Sequence, residues 1–400
     1  MKILFLANRI PYPPYRGDKL KIFNLAKRLK DKHELHLVTF VQTKSDFKYR
    51  EDLEKIFKSV HLIYLPKWRS ALNCIAGLWS KKPLQVLYFD SAALQIKLND
   101  LLRSYRFDAV HVQHLRMSPY LEKRSDIPRI LDLPDAFSLY WERRKKIKRN
   151  LLITLFESIE QKRVLNYERI IGQYDLSLVC SQEDLEYLRQ KHNASNLRLL
   201  PNGVDFDIFS PRHHDYSHNH TILFTGNMDY APNVDAVIYF VHEILPLVHT
   251  RFPQTKFIIA GQRPVKKVLE LANDYITVTG FVEDFATMYN NASIVVAPLR
   301  FGAGTQNKVL EAMAMGVPVV CSEIGFGGLG IKSGQGAIMQ TDAKAFAESV
   351  IEVLQSEALR RSTGQQGAEV ARSKFDWNVI ALLLENYFKE IASKNKSTNS

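Results

Sequence analysis

The sequence predicts an α/β protein built from two doubly wound parallel sheets. Three observations carry that expectation. Short apolar runs of strand type alternate with amphipathic helical stretches through both halves, the pattern of parallel sheets covered on both faces. The alternation is broken once, by LPNGVDFDIFSP from Leu200 to Pro211, where Asn202–Gly203 and two prolines end regular structure. The 400 residues suit two cores of comparable size. The expected domains are 1–200 and 201–375.

In the first half, strands are expected at Lys2 to Ala7, Glu34 to Val41, Val60 to Leu65, Phe107 to Val112, Arg129 to Leu133, Leu176 to Cys180 and Leu197 to Leu200. Helices are expected from about Lys19 to Leu29, with Ile22, Leu25, Ala26 and Leu29 on one face, from about Phe47, up to Tyr105, and from Ala136 to Ile170. The second half restarts with strands at Thr221 to Thr225, Lys256 to Ala260, Ile276 to Thr279, Ile294 to Ala297 and Val317 to Cys321. Its helices follow Pro232, Thr305, Asp342, Glu357 and Trp377, and the tail SKNKSTNS is polar enough to stay unfolded.

The chain is 46% hydrophobic and 24% charged, as in ordinary globular proteins. No uninterrupted apolar run approaches the roughly 20 residues that span a bilayer, and Ile3 to Ala7 is too short for a signal peptide, so a cytoplasmic location is expected. Cys74, Cys180 and Cys321 have neither metal spacing nor a paired framework and fit a reducing compartment. The net charge of +12 points to an anionic surface, a nucleotide substrate or simple solubility. No zinc-finger, ribonucleoprotein or helix-turn-helix pattern is present, so no nucleic-acid partner is expected. ERRKKIKR at 142–149, followed by LLITLF, is either the solvated face of a long helix or a segment lying on an anionic membrane surface.

The stretch with chemistry in it is FGAGTQNKVLEAMAMGVPVV, Phe301 to Val320. A strand, a Gly-rich turn, a helix and a second strand form a βαβ unit. Gly302 and Gly304, flanking Ala303 in the turn, let backbone approach a ligand, and the free N–H groups at the helix start, near Thr305, attract a phosphate. Lys308 adds a cation, and Glu311 can accept two hydroxyls of a ribose. The same glycines would serve equally for the turn alone. Three strands of this half also end in glycine: Gly226, Gly261 and Gly280. These are either turn residues or the bare floor of a nucleotide site.

NKVLEAMAMGVPVV and the LPNGVDFDIFSP hinge resemble the retaining glycosyltransferases of family 4, which have the GT-B fold: two Rossmann-like domains facing a central cleft. The resemblance implies that Glu311 holds the ribose of a nucleotide-sugar donor and that the amides of residues 302–305 hold its diphosphate and sugar. It implies that Phe281 and Val282 bond the base through backbone. It also implies that a last helix, about 376–391, packs back on the first domain, and that closure about the hinge excludes water. Two departures stand out. The usual earlier Glu is replaced by Ala303, and the Arg and Lys that normally follow the first glycine are absent from GNMDYAPN, leaving Arg263, Arg300 or Lys308 to compensate. Details such as DLPDAFSLYW resemble bacterial transferases tied to exopolysaccharide and exosortase systems.

On the acceptor side, the carboxyl ends of the first-half strands mark Gly17, Asp18, His111, Gln113, His114, Asp132, Asp135, Ser181 and Gln182. The family's His-x-His pair reads His-x-Gln-His here. His111, His114 and Asp18 are the candidates for catalysis, with Gly17, Asp132 and Asp135 on the acceptor side. The histidines serve either as hydrogen-bonded structural residues or as catalysts, and the three carboxylates either cap helices or orient a hydroxyl. The reaction implied is sugar transfer with retention to a glycan or lipid-linked acceptor, using no cofactor and no obligatory metal, on the inner face of the cell membrane. The rival readings are a sugar-nucleotide epimerase and a non-catalytic binding subunit.

Overall fold

The computed structural model describes residues 1–14, 17–122, 124, 126–145, 151–211, 216–217, 220–302 and 304–398. It divides into two compact units, Met1–Pro201 with Ile380–Ser400, and Asn202–Val379.

Among the described residues, the first unit has one parallel sheet of seven strands: β1 Lys2–Ala7, β2 Glu34–Val41, β3 Ser59–Tyr64, β4 Ala109–Gln113, β5 Arg129–Leu133, β6 Leu176–Val179 and β7 Leu197–Leu199. Their spatial order is β3-β2-β1-β4-β5-β6-β7. The order reverses between β1 and β4, whose register pairs Phe5 with His111. The second unit has six parallel strands: β8 Thr221–Thr225, β9 Lys256–Ala260, β10 Ile276–Gly280, β11 Ile294–Ala297, β12 Val319–Ser322 and β13 Ile338–Gln340. Their order is β10-β9-β8-β11-β12-β13, reversing between β8 and β11. In open parallel sheets ligands collect beyond the carboxyl ends of the strands at such reversals.

The central strands are apolar almost throughout because helices cover both faces. β1 is fully buried from Ile3 to Ala7, and β11 from Ile294 to Ala297. One core layer of the second unit joins Leu223, Val295 and Val319 to Val309, Leu310 and Met313 of helix Asn307–Ala314. That helix therefore lies flat on the sheet and aims its amino end at the reversal.

Several elements differ from expectation for local reasons. The stretch expected as one helix from Ala136 to Ile170 is two, Phe137–Lys145 and Leu151–Tyr167, followed by the 3-10 turn Glu168–Gln173. The basic cluster at 142–149 falls partly outside the described residues. The helix near Phe47 opens with the 3-10 turn Lys44–Tyr49. β12 starts at Val319 rather than Val317, since Pro318 has no N–H to donate. β13 and the helices Lys67–Ala76 and Gln182–His192 had no strong sequence signal. Ala231–Arg251 is long and apolar enough to cross a membrane by length and composition only. It nevertheless buries Ala236, Val237, Phe240, Ile244 and Val248 in the core of its own unit.

The final helix, Trp377–Thr398, begins in the second unit and continues into the first from Ile380. Its Phe388 lies 6.4 Å edge-on to Phe5. The Tyr387 hydroxyl donates to the Leu199 carbonyl at 3.0 Å.

Candidate functional site

The β8–β11 reversal of the second unit gathers most of the donor-side candidates. Helix Asn307–Ala314 starts after Gly302 (φ +146°) and Gly304 (φ +73°), backbone that a side-chain-bearing residue rarely adopts. The side chain of its N-cap residue, Gln306, does not bond the helix start, and the first turn carries no carboxylate. That leaves donors and a positive dipole end available to an anion. Thr305 is buried in the same loop. Ala303 lies outside the described residues.

Lys308 is buried beneath this corner. Its Nζ donates to Asn233 Oδ1 at 3.1 Å and Gln306 Oε1 at 3.4 Å, and sits 5.1 Å from the Phe224 ring centre. Burial lowers its ammonium pKa to about 8, with Glu311 opposing the shift. Arg300 and Arg263, the other two cations proposed to compensate for the missing pair, already hold carboxylates. Arg300 donates to Asp235 at 2.8 and 2.5 Å, and Arg263 lies 3.2 Å from Asp229. Of the three, Lys308 alone has neutral amide oxygens as its close partners.

Glu311 is half-buried on the next turn. The Tyr289 hydroxyl donates to its Oε2 at 2.7 Å, and that hydroxyl also meets Thr225 Oγ1 at 2.7 Å. This chain fixes one carboxylate oxygen. Burial raises the Glu311 pKa, against the Tyr289 hydrogen bond and the Lys308 charge.

The glycines that end β8, β9 and β10 differ in role. A Cβ on Gly261 would stand 1.7 Å from the Gly226 carbonyl oxygen, and one on Gly226 would stand 2.5 Å from Asn233 Nδ2. Close packing demands both, against backbone at Gly261 and against the Asn233 side chain at Gly226; Gly226 N–H donates to the Ala260 carbonyl and Gly261 N–H to the Gly280 carbonyl. Gly280 (φ +72°) has nothing within 4 Å of its missing Cβ, so it borders open space. Beside it Phe281 is exposed and Val282 packs against the core. A cavity of about 280 Å³ opens further along the sheet, lined by Tyr239, Arg300, Ser322 and Asp342 but by neither Lys308 nor Glu311.

The first unit buries three of the acceptor-side candidates, His111, His114 and Asp132. His111 is fully buried, 4.9 Å from the Phe5 ring, with Nε2 3.2 Å from Asp132 Oδ2. Asp132 is also buried, and Lys21 Nζ donates to its Oδ1 at 2.7 Å and to the Leu200 carbonyl at 3.0 Å. Burial works to raise the Asp132 pKa, but Lys21 and His111 outweigh it and keep the group low. His111 and Asp132 thus form a buried polar cluster with Lys21 rather than a surface for an acceptor.

His114 is buried against Phe137 at 4.7 Å, accepts from the Arg116 N–H at 3.3 Å and has φ +79°. Burial drives its pKa well down, so it is neutral and acts as a cap. Gly17 is exposed at the start of helix Gly17–Leu29. Asp18 is inside that helix's first turn rather than at its cap, and its side chain lies outside the described residues. Asp135 is half-buried, and the Ala136 N–H behind it donates to Asp184. Three further residues support the two units' polar groups without any sequence signal: Tyr289, Asn233 and Lys21. Nothing in local spacing announces them, because the bonds that matter join distant positions: Tyr289 to Glu311, Asn233 to Lys308 and Lys21 to Asp132.

Comparisons with known proteins agree with this fold. Residues 22–208 match the family described as Glycosyltransferase Family 4, and residues 219–356 match Glycosyl transferases group 1. The chain is 25% identical over 366 residues to an uncharacterized 44.6 kDa protein in the cps region of Klebsiella pneumoniae, covering 88% of this chain and 90% of that one. It is 27% identical over 237 residues to a phosphatidyl-myo-inositol mannosyltransferase of Mycobacterium leprae, covering 57% and 61%. Anabaena HepE, solved in complex with UDP, superposes with a TM-score of 0.69 at 16% identity, covering 98% of this chain and 100% of that one. With two parallel-sheet units of the GT-B kind and matches spanning both, the chain is a family 4 glycosyltransferase.

Proposed function

We propose that the enzyme transfers a hexosyl group from a nucleoside-diphosphate sugar to a hydroxyl of a glycan or lipid-linked acceptor, with retention at the anomeric carbon and no obligatory metal. One observation carries the donor reading. At a single sheet reversal the uncapped helix start, the buried cation of Lys308 and the carboxylate of Glu311 lie within two helical turns of one another. A diphosphate on the helix start would take up the dipole and the Lys308 charge. Glu311 would receive two ribose hydroxyls, its second oxygen pre-positioned by Tyr289.

In the reaction the bond from the anomeric carbon to the diphosphate oxygen breaks and a bond to the acceptor oxygen forms. The acceptor proton leaves with the departing diphosphate. Charge growing on that leaving group is what the helix amides and Lys308 stabilise. His111 and His114, being enclosed, are not assigned a proton-transfer role.

The M. leprae relative's name includes a phosphatidyl lipid and the K. pneumoniae relative's a cps region. Both support an acceptor in cell-surface glycan synthesis, handled peripherally at the cytoplasmic face of the membrane. HepE's complex makes UDP-sugars the first donors to test.

The experiment is incubation with a panel of sugar nucleotides while nucleoside diphosphate release is followed. Slow release, accelerated by an acceptor extract, supports transfer. Conversion of one sugar nucleotide into its epimer without release would make the chain an epimerase. No binding of any sugar nucleotide would leave a subunit without this chemistry.

A further inference from the structure

Two helices of the first unit turn their apolar faces outward. In helix Lys67–Ala76, Trp68, Leu72 and Ile75 follow at spacings of four and three, and Trp79 continues the stripe just past its end. All four are exposed, Trp68 by 66% and Trp79 by 96%, while the residue the helix buries is Ser70. Helix Leu151–Tyr167 repeats the inversion. Leu151, Leu155, Phe156 and Ile159 are exposed, and the buried positions are Glu157, Glu160 and Val164.

The second helix is bonded to the segment that follows the first. Glu160 Oε2 accepts from the Leu84 N–H at 3.0 Å, and Arg163 donates to the Leu78 carbonyl. Lys67, Arg69, Lys81, Lys82 and Lys162 are exposed around them. Between residues 65 and 89 the sequence contains no Asp or Glu.

Burying carboxylates under a helix while leaving its aromatic and aliphatic side chains in water is costly unless something covers that face. We propose that this surface seats on an anionic lipid bilayer, with the tryptophans and aliphatic side chains at the headgroup–acyl boundary and the lysines and Arg69 against lipid phosphates. Tryptophan favours that boundary, and basic residues beside an apolar face favour anionic lipid. A second copy of the chain is the poorer occupant, because it would bring two basic rims together. The inference names the surface behind the peripheral location proposed above and rests on that location for its purpose, not on sugar transfer.

The test is co-sedimentation of the full chain with phosphatidylcholine vesicles, with and without phosphatidylglycerol. Three forms are compared: the unaltered protein, Trp68→Ser with Trp79→Ser, and Leu155→Glu with Phe156→Glu. The altered side chains are exposed, so thermal melts should be unchanged. The unaltered protein is expected to bind only the phosphatidylglycerol vesicles, with a blue shift in tryptophan fluorescence. Each double variant should bind at least about tenfold more weakly, and Lys81→Ser roughly fivefold more weakly.

Absence of vesicle binding, binding that the variants leave intact, or a dimer that they dissolve without any vesicle binding would each overturn the proposal. Nucleotide binding measured on the same samples separates the two readings. Vesicle binding without nucleotide binding sinks only the donor-site reading, and the reverse sinks only the membrane surface.

Discussion

Glu311 has one oxygen occupied by the Tyr289 hydroxyl at 2.7 Å and needs its charge to receive two hydroxyls. Glu311→Gln removes that charge, and hydrogen bonds to charged groups contribute about 1.5–3 kcal/mol, so nucleotide affinity should fall about 10- to 100-fold. Tyr289→Phe removes only the positioning bond and should cost about tenfold or less; isothermal titration reads both. Lys308 gives a pH signature. Its pKa is lowered to about 8 by burial, so in the free protein the ammonium loses its proton above that pH. A diphosphate beside it favours the charged form, and binding should therefore take up a proton and weaken as pH rises past 8. Titrations in buffers of different ionisation enthalpy measure the uptake, and none would contradict a phosphate role for Lys308. The folding linkage has a definite sign. The unfolded chain binds this proton more tightly, so stability should rise between about pH 8 and the ordinary lysine range, and Lys308→Met should remove that rise.

At the scale of elements, the glycines separate packing from ligand access. Gly261→Ala would drive a methyl into the Gly226 carbonyl, and no flexible side chain can yield there. It should give an insoluble or strongly destabilised protein. Gly280→Ala meets no atom, only an unfavourable φ of +72°, and should cost about 1–2 kcal/mol in a denaturant melt. Both substitutions falling equally would contradict the distinction. The same comparison explains what could be read from the chain. The central strands β1, β2, β5, β8, β9 and β11 stand where their apolar runs lie, since burial on both faces leaves few polar interruptions, among them His36, Thr39 and Asp132. The uncapped helix start after the Gly-rich turn was legible for the same local reason. The Tyr289–Glu311 bond was not, because it spans 22 positions. The burial of His111 was hidden too. Its exposure depends on Phe5 and on the Lys21–Asp132 pair, and residues at a strand's carboxyl end look alike in sequence whether they face a ligand or the core.

For the whole molecule, the returning helix is a structural requirement of the first unit. Phe388 packs edge-on to Phe5, and Glu385 pairs with Lys389 at 2.7 Å and lies 3.6 Å from His33. Ending the chain after Val379 should therefore expose the first unit's core and abolish soluble expression, which fractionation of the truncated and full chains would show. Nucleoside diphosphate release should persist in excess chelator, since helix amides and Lys308 supply the positive charge; loss of release restored by a divalent cation would contradict that. The central claim is that a nucleotide binds at the β8–β11 reversal of the second unit through Glu311. Titration of the intact protein and of Glu311→Gln with uridine, guanosine and adenosine diphosphates tests it most directly. The account predicts saturable binding of at least one nucleotide, weakened about 10- to 100-fold by the substitution with the melting temperature unimpaired; equal affinity for both proteins, or none for either, would contradict it.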